Sequence, residues 1–498
     1  MANVHSIMSR PFVRVLLLTL NLAALPGLHA QEPAAPAGPA LTLEECIARA
    51  LEKNFALKIQ GFSTTIAQES LNVAKAGFEP TLTASTLHSV SQTGLVTGVG
   101  PRYDTTDTRL GITQTLTTGA NVSLSTSLDR SGTNPALTTP NPAFNSDLSL
   151  SITQPLLKGA GTVVNRATIE RNQLGLTIAN LSYKSSVLLV IRNTEVAYFN
   201  LVFAREQMTV KQHSLELAVK LYEENKVRKT TGVATDLDVL TAEVGVANAR
   251  NGVVTADQLV RNSEDALLAL IGRMEFNSPV GPVSLPGGHE APPSFDVSYK
   301  LALDNQPDLI SSQTAIKQFE LDAHTAKNGA LPTLNLGGTL GYNGTNRSYG
   351  TAVNRLSDGD GHNWQLDLSL NLPWGLHADR ARYRSALAGL RQEQARLQQV
   401  EQDLIVKVRS AVRAVETNQQ SVEIFGKSTE LAEKQYELQL ARFKAGLATS
   451  RQVLEVQDDL ESARVNELQA RVNLRTANAN LHQLESSSLE RYHIALAQ

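Results

Sequence analysis

Residues 222–250 read YEENKVRKTTGVATDLDVLTAEVGVANAR, and residues 436–464 read YELQLARFKAGLATSRQVLEVQDDLESAR. Set side by side at a shift of 214, they share ten identities in 29 positions. Chance supplies about two at ordinary residue frequencies. Tyr222-Glu223 meets Tyr436-Glu437, Arg228 meets Arg442, and Val239-Leu240 meets Val453-Leu454. Gly232-x-Ala234-Thr235 meets Gly446-x-Ala448-Thr449 at the centre of each copy. A glycine between two helix-favouring runs ends the first of them, because it tolerates a left-handed backbone at the helix C-terminus. The chain therefore carries the same helical hairpin twice, and repeats of this size govern the whole fold.

Working outward, a second match runs without a gap at a shift of 252. Ala50-Leu51 meets Ala302-Leu303, Leu57 meets Leu309, and Pro80-Thr81-Leu82 meets Pro332-Thr333-Leu334. Each half reads as helix, strands, long helix, helix. The opening helices are expected from Leu43 to Ala76 and from Val297 to Asn328, each followed by glycine and then proline. Strands follow: Leu148, Leu150 and Ile152 alternate with polar residues before Pro155, as do Leu366, Leu368, Leu370 and Leu372 before Pro373. That period of two gives one apolar and one polar face. Long helices are expected from Val163 to Arg228 and from Ala378 to Lys444. The second carries a heptad seam from Tyr383 through Leu387, Leu390, Leu397, Leu404, Val408 and Val415 to Phe425. Closing helices run from Asp236 to Ile271 and from Arg451 to Leu484. Two short helices stacked end to end match one long helix in length. The organisation expected is a signal peptide at 1–30, a first repeat at 31–271, a Pro/Gly-rich linker at 272–296, a second repeat at 297–485 and a tail at 486–498.

The N-terminus has Arg10 and Arg14, an apolar run from Val15 to Leu25, and Ala30 at the expected cleavage point, the marks of a secretory signal. No later stretch reads as the run of about 20 apolar residues that spans a bilayer as a helix. Lys and Arg number 45 against 48 Asp and Glu, so no basic excess points to nucleic acid. The single cysteine, Cys46, excludes an intrachain disulfide and lies too far past Ala30 for lipid attachment, which leaves a buried helical thiol. No HExxH, phosphate-binding glycine loop or Cys/His cluster is present, so no catalytic residue, metal or cofactor is assigned.

Few strands beside very long helices pose a physical problem, since an open sheet edge is not tolerated in lipid. The strands must pool with those of other copies, apolar side to lipid and polar side to a lumen. A secreted coiled-coil filament explains the heptads but not strands recurring at matched places. A general porin needs amphipathic strands throughout.

The chain resembles the TolC-type outer-membrane efflux proteins. The resemblance rests on Leu41-Thr-Leu-Glu-Glu-Cys-Ile-Ala-Arg-Ala-Leu-Glu-Lys-Asn54 and on the approaches to Pro80 and Pro332. Gln154-Pro155-Leu156-Leu157, Leu372-Pro373-Trp374 and the two glycine turns complete it. It implies a mainly α fold with a membrane β-barrel portion: a homotrimeric α-barrel/β-barrel duct through the outer membrane and periplasm. It further implies a passive exit duct of a tripartite efflux or type I secretion system, docked to a periplasmic adaptor and an inner-membrane pump of RND, ABC or MFS class.

The resemblance places the turns at a periplasmic tip, with Arg228, Gly232, Thr235, Arg442, Gly446 and Thr449 as adaptor contacts. Asp236, Asp238, Arg451, Glu455, Asp458 and Asp459 follow; repeated threefold they form a charged ring, although acids in a first helical turn also complement its dipole. Pro80, Pro155, Pro332 and Pro373 mark strand–helix corners. Trp364 and Trp374, with Tyr342 and Tyr103, flank the strands as interface aromatics or packing residues. The first half carries an additional hairpin at 107–128, turning at Thr117-Thr118-Gly119. The family pattern of four strands per subunit gives twelve in a trimer, and twelve is the expectation taken. Were the hairpin to join the barrel, the count would be eighteen.

Overall fold

The computed structural model describes residues 41–95, 98–134, 139–272, 280–287, 292–359 and 361–495. The signal peptide expected at 1–30, part of the linker and the last three residues of the tail lie outside the described residues. In chain order the elements are α1 (Leu43–Lys53), α2 (Phe55–Ala76), β1 (Thr81–Leu95), β2 (Gly98–Thr115), β3 (Asn121–Asn134), β4 (Ala143–Pro155), α3 (Thr162–Thr230) and α4 (Asp236–Leu270). The second half continues with α5 (Phe295–Asn305), α6 (Pro307–Gly329), β5 (Thr333–Asn346), α7 (Tyr349–Asp358), β6 (His362–Asn371), α8 (His377–Lys444), α9 (Ser450–Glu485) and α10 (Ser488–Arg491).

Each opening helix proves to be two helices rather than one. The break falls at Asn54 in the first half and at the matching Gln306 in the second, both with extended backbone (ψ 127° and 117°). Asn54 caps α2 by accepting from the Ala56 amide at 2.9 Å, while its own side-chain amide donates to the Leu270 carbonyl at 3.0 Å. In the second half Pro307 supplies the break, because proline keeps the preceding residue out of the helical region. One kink thus arises from different chemistry in the two repeats.

α2 and α4 lie along α3, and α6 and α9 lie along α8, the end-to-end stacking expected. At 69 residues α3 extends for about 100 Å. α3 also packs against α6 and α9, which fastens the halves together. One eighteen-residue window of α3 is apolar enough to cross a bilayer by composition, which was not expected. Within α3, Val187, Val190, Ile191, Leu201 and Val202 belong to the main core with Ile47 and Ala50 of α1 and Leu267 and Leu268 of α4. Only 22% of that window is buried within the subunit, so this core covers a small part of it. Arg205 ties residues 280–287 to this core through the carbonyls of Gly281 (2.6 Å) and Val280 (2.8 Å).

Cys46 is fully buried in the same core, and burial pushes its thiol up to about 12. The thiolate is the reactive form. Maleimide at neutral pH is therefore expected to leave the folded protein unlabelled and to label it stoichiometrically in denaturant, as read by mass spectrometry. Rapid labelling of the folded protein would contradict the burial.

The six described strands form one antiparallel sheet in the order β1-β2-β3-β4-β5-β6. The additional hairpin is part of this sheet, which gives six strands in one subunit where the family pattern led us to expect four. It forms the lower part of β2 and β3, inside the sheet. Directly opposed residues share a face, and the register places Leu82, Ile112, Leu124, Leu150, Leu340 and Trp364 in one row across all six strands. The row one residue away reads Thr83, Gly111, Ser125, Ser149, Gly341 and Asn363. Ser125 and Ser149 share a hydrogen bond of 2.8 Å on this second face. One side of the sheet is thus apolar and exposed, the other polar. β1 and β6 are its two edges, continuous with α2 and α8 respectively.

α7 was not foreseen. It rests on the upper end of the apolar face, where Ser146 donates to the Ala352 carbonyl at 2.8 Å and Phe144 meets Tyr349 edge-on at 4.6 Å. Tyr349, Ala352, Val353 and Leu356 do recur at helical spacing, a signal available in the sequence but confined to ten residues.

Candidate functional site

The two glycine turns close the far ends of the long helices. Gly232 (φ +78°) and Gly446 (φ +74°) adopt the left-handed backbone. In each turn the glycine amide and the one after it reach back to the last carbonyls of the helix: Gly232 to Lys229 (3.0 Å) and Val233 to Arg228 (2.8 Å), Gly446 to Phe443 (2.9 Å) and Leu447 to Arg442 (2.8 Å). This paired ending satisfies carbonyls that a bare helix end leaves unbonded. Thr235 and Thr449 then start α4 and α9 with reciprocal capping boxes, the partners being Asp238 and Gln452.

The turns are fastened side by side. Arg228 donates from Nη1 to the Phe443 carbonyl at 3.0 Å, and its guanidinium lies 4.3 Å from the centre of the Phe443 ring. Phe443 packs with Leu221 and Val453 in a small core of its own. Buried Ser450 donates to Asn225 at 2.7 Å across the same seam. Arg442, which matches Arg228 in the repeat, is exposed and donates only to Gln439 at 3.4 Å among its partners here. Lys229 stands where the second copy has Phe443, so Arg442 has no equivalent ring on the first turn. Sequence matching alone gave these two arginines one role; packing separates them.

Among the expected ring residues, Asp236 pairs with Lys229, and Asp238 is engaged in its cap. Arg451, Glu455, Asp458 and Asp459 lie on the exposed face of α9. Hydrogen bonds from the Thr235 hydroxyl and amide, then the Arg228 charge, hold the Asp238 carboxyl below its usual range. Partial burial, then Glu461 and Asp459, push Asp458 up against the opposing pull of Lys211. A lowered carboxyl pKa contributes stability at neutral pH that disappears as pH falls through the lowered value. Acidification is therefore expected to loosen the first turn of α4 but not that of α9, whose cap partner Gln452 does not titrate. Amide exchange compared between the two turns at the same pH checks this; equal protection at pH 3 and pH 7 would contradict it.

At the sheet end, Pro80 separates α2 from β1, Pro155 closes β4, Pro332 precedes β5 and Pro373 follows β6. The β2–β3 turn docks here. Gly161 donates to the Thr118 carbonyl at 3.1 Å, and Asn165 donates to the carbonyls of Gly159 and Gly161 at 2.8 Å each. Trp364 sits in the apolar row near the top of β6, and Trp374 lies just past its foot with its side chain fully exposed. Among the described residues, no group of three or more His, Cys, Asp or Glu could hold a metal ion.

An amphipathic sheet with two free edges, joined to helical hairpins about 100 Å long, defines one wall segment of a membrane-crossing duct. The chain belongs to the outer membrane efflux protein family, whose sequence profile matches residues 46–273 and 298–485. It is an outer-membrane exit duct of an efflux system, with its helical part in the periplasm; the family is one of channels rather than enzymes. The fold is similar to solved channels at low identity. CmeC of Campylobacter jejuni is 17% identical with a TM-score of 0.67, over 92% of this chain and 90% of that one. VceC of Vibrio cholerae is 16% identical with a TM-score of 0.66, over 89% and 95%. MtrE of Neisseria gonorrhoeae, in its open state, is 19% identical with a TM-score of 0.61, over 89% and 88%. No curated protein matches the chain significantly in sequence.

Proposed function

We propose that three copies form the duct and that its periplasmic tip docks a periplasmic adaptor, which connects it to an inner-membrane pump. The observation that carries this reading is the pairing of the two repeat-related turns at the far end of each subunit, locked by Arg228 on Phe443. Around a threefold axis six equivalent turns would face the periplasm. Val233 and Leu447 leave apolar side chains 67% and 71% exposed at the turns, with Leu237 alongside at 70%. Exposed apolar groups gathered at a tip favour a protein partner.

Asp236, Asp238, Arg451, Glu455, Asp458 and Asp459 would form a charged ring at the narrowed end, favouring cations. Trp364 and Trp374 would mark the two membrane interfaces: about 33 Å apart along an extended strand, they would stand about 25 Å apart across the membrane at a strand tilt of about 40°, the height of a barrel's apolar band.

Photo-crosslinkers placed at Val233 and Leu447 test docking in cells that also express a periplasmic adaptor. The expected product joins the two proteins from either position and disappears when the other is changed (crosslinker at Val233 with Leu447→Asp, crosslinker at Leu447 with Val233→Asp), while the trimer remains intact. Crosslinks only between copies of this chain would refute docking at the turns.

A further inference from the structure

We propose that three copies join β1 to β6 edge to edge and close an eighteen-stranded barrel, wide enough to pass a helical hairpin rather than a single helix. The proposal rests on the threefold ring argued above but not on tip docking.

The sheet carries the case. β2 and β3 pair with their neighbours over their whole lower length, from Thr81↔Thr113 through Asn121↔Thr153. The apolar row Leu82–Ile112–Leu124–Leu150–Leu340–Trp364 passes through them without interruption. A hairpin plugging the lumen would have polar residues on both faces. This one presents Ile112 and Leu124 outward, 46% and 44% exposed, beside Leu150 at 40%. Its other face continues the polar row with Gly111 and Ser125. The hairpin is therefore wall.

Strands about 4.8 Å apart and tilted by about 40° give a backbone diameter of about 36 Å for eighteen strands and about 24 Å for twelve. Subtracting side chains of about 5 Å on each side leaves roughly 26 Å and 14 Å. One α-helix with its side chains is about 10–12 Å wide, so only the larger pore passes two side by side. Each subunit supplies four helical columns: α2 over α4, α3, α6 over α9, and α8. Twelve columns packed about 10 Å apart make a ring of about 38 Å. Eighteen strands give a barrel of about the same width as that ring. Lumen-facing Gly111, Ser125, Ser149 and Gly341 keep the bore clear. Sieving of cargo then rests with the helical tip.

The chain has two tryptophans, which makes the test direct. In a Trp364→Phe/Trp374→Phe background, Leu124→Trp places one reporter on the hairpin, with Ile112→Trp as the second choice in the same row. The trimer is reconstituted in phosphatidylcholine vesicles with brominated acyl chains. The expected result is quenching within about twofold of that shown by Trp364 in the Trp374→Phe protein, together with a barrel about 36 Å across in end-on electron micrographs. A quenched Trp364 beside an unquenched, acrylamide-accessible hairpin reporter, or a barrel of about 24 Å, would overturn the proposal. An unquenched Trp364 would instead refute membrane insertion of the sheet.

Discussion

Phe62→Asp/Ile66→Asp is expected to yield folded subunits that no longer form rings. Phe55, Ile59, Phe62, Ile66 and Val73 stand one or two turns apart on α2 and make a single apolar stripe, each more than half exposed in the isolated subunit. No described element of the same chain covers it. The stripe lies on the flank that continues into edge strand β1, while the opposite flank, α8 rising from β6, exposes Val406, Ile424, Leu431 and Leu438. Two apolar flanks beside two free sheet edges are what a closed ring of copies would bury. Burying Phe62 and Ile66 is worth about 1.5–3 kcal/mol each, and a carboxylate held there unpaired costs several kcal/mol more. A ring of three would contain the contact three times. Trimer yield should fall more than a hundredfold by native mass spectrometry in detergent, with far-ultraviolet circular dichroism unchanged. Trimers at the normal yield would show that the stripe faces something other than a second copy.

Gly119→Val should be nearly as damaging, through backbone geometry instead of surface chemistry. Gly119 turns the β2–β3 hairpin at φ +91°, and a Cβ there would lie 2.4 Å from the Gly159 carbonyl oxygen and 3.0 Å from Pro155. The left-handed backbone alone costs a β-branched residue about 1–3 kcal/mol, and a clash against backbone cannot be relieved by a rotamer change. The turn would lift off the corner where Gly161 and Asn165 hold it. The expected outcome is loss of heat-resistant trimers from the membrane fraction, whereas Gly338→Val, within β5 with nothing within 4 Å of its Cβ, should be tolerated far better. Similar yields for both variants would contradict the docked corner.

The duplication made most of this fold legible, because long helices advertise themselves by period and stop at glycine. Observed α3 and α8 begin and end within two residues of the expected bounds. Strand alternation likewise marked β4 and β6. What escaped the sequence depended on relations between distant residues. The kink at Asn54 requires the Leu270 carbonyl 216 positions away. Membership of the additional hairpin in the sheet depends on register against β1 and β4, which alternation alone cannot supply. At the tip the repeat located both turns. It could not distinguish Arg228, laid on Phe443, from Arg442, because the difference lies in the facing turn. Asp238 read as a member of a charged ring, and its proximity to Thr235 shows it also serving as a helix cap.

The pooling of sheet edges between copies is tested most directly by disulfide trapping. Thr83→Cys on the polar face of β1 would be combined in turn with Gln365→Cys, Asp367→Cys and Ser369→Cys on the polar face of β6, with buried Cys46 left in place. Directly opposed residues on paired strands bring Cβ atoms to about 4.5–5.5 Å, close enough for a disulfide after small adjustment. The expected result is that oxidation in membranes converts one of the three pairs into a covalent trimer on non-reducing gels. Monomers throughout, or bridges closed within a single copy, would contradict a barrel shared between subunits.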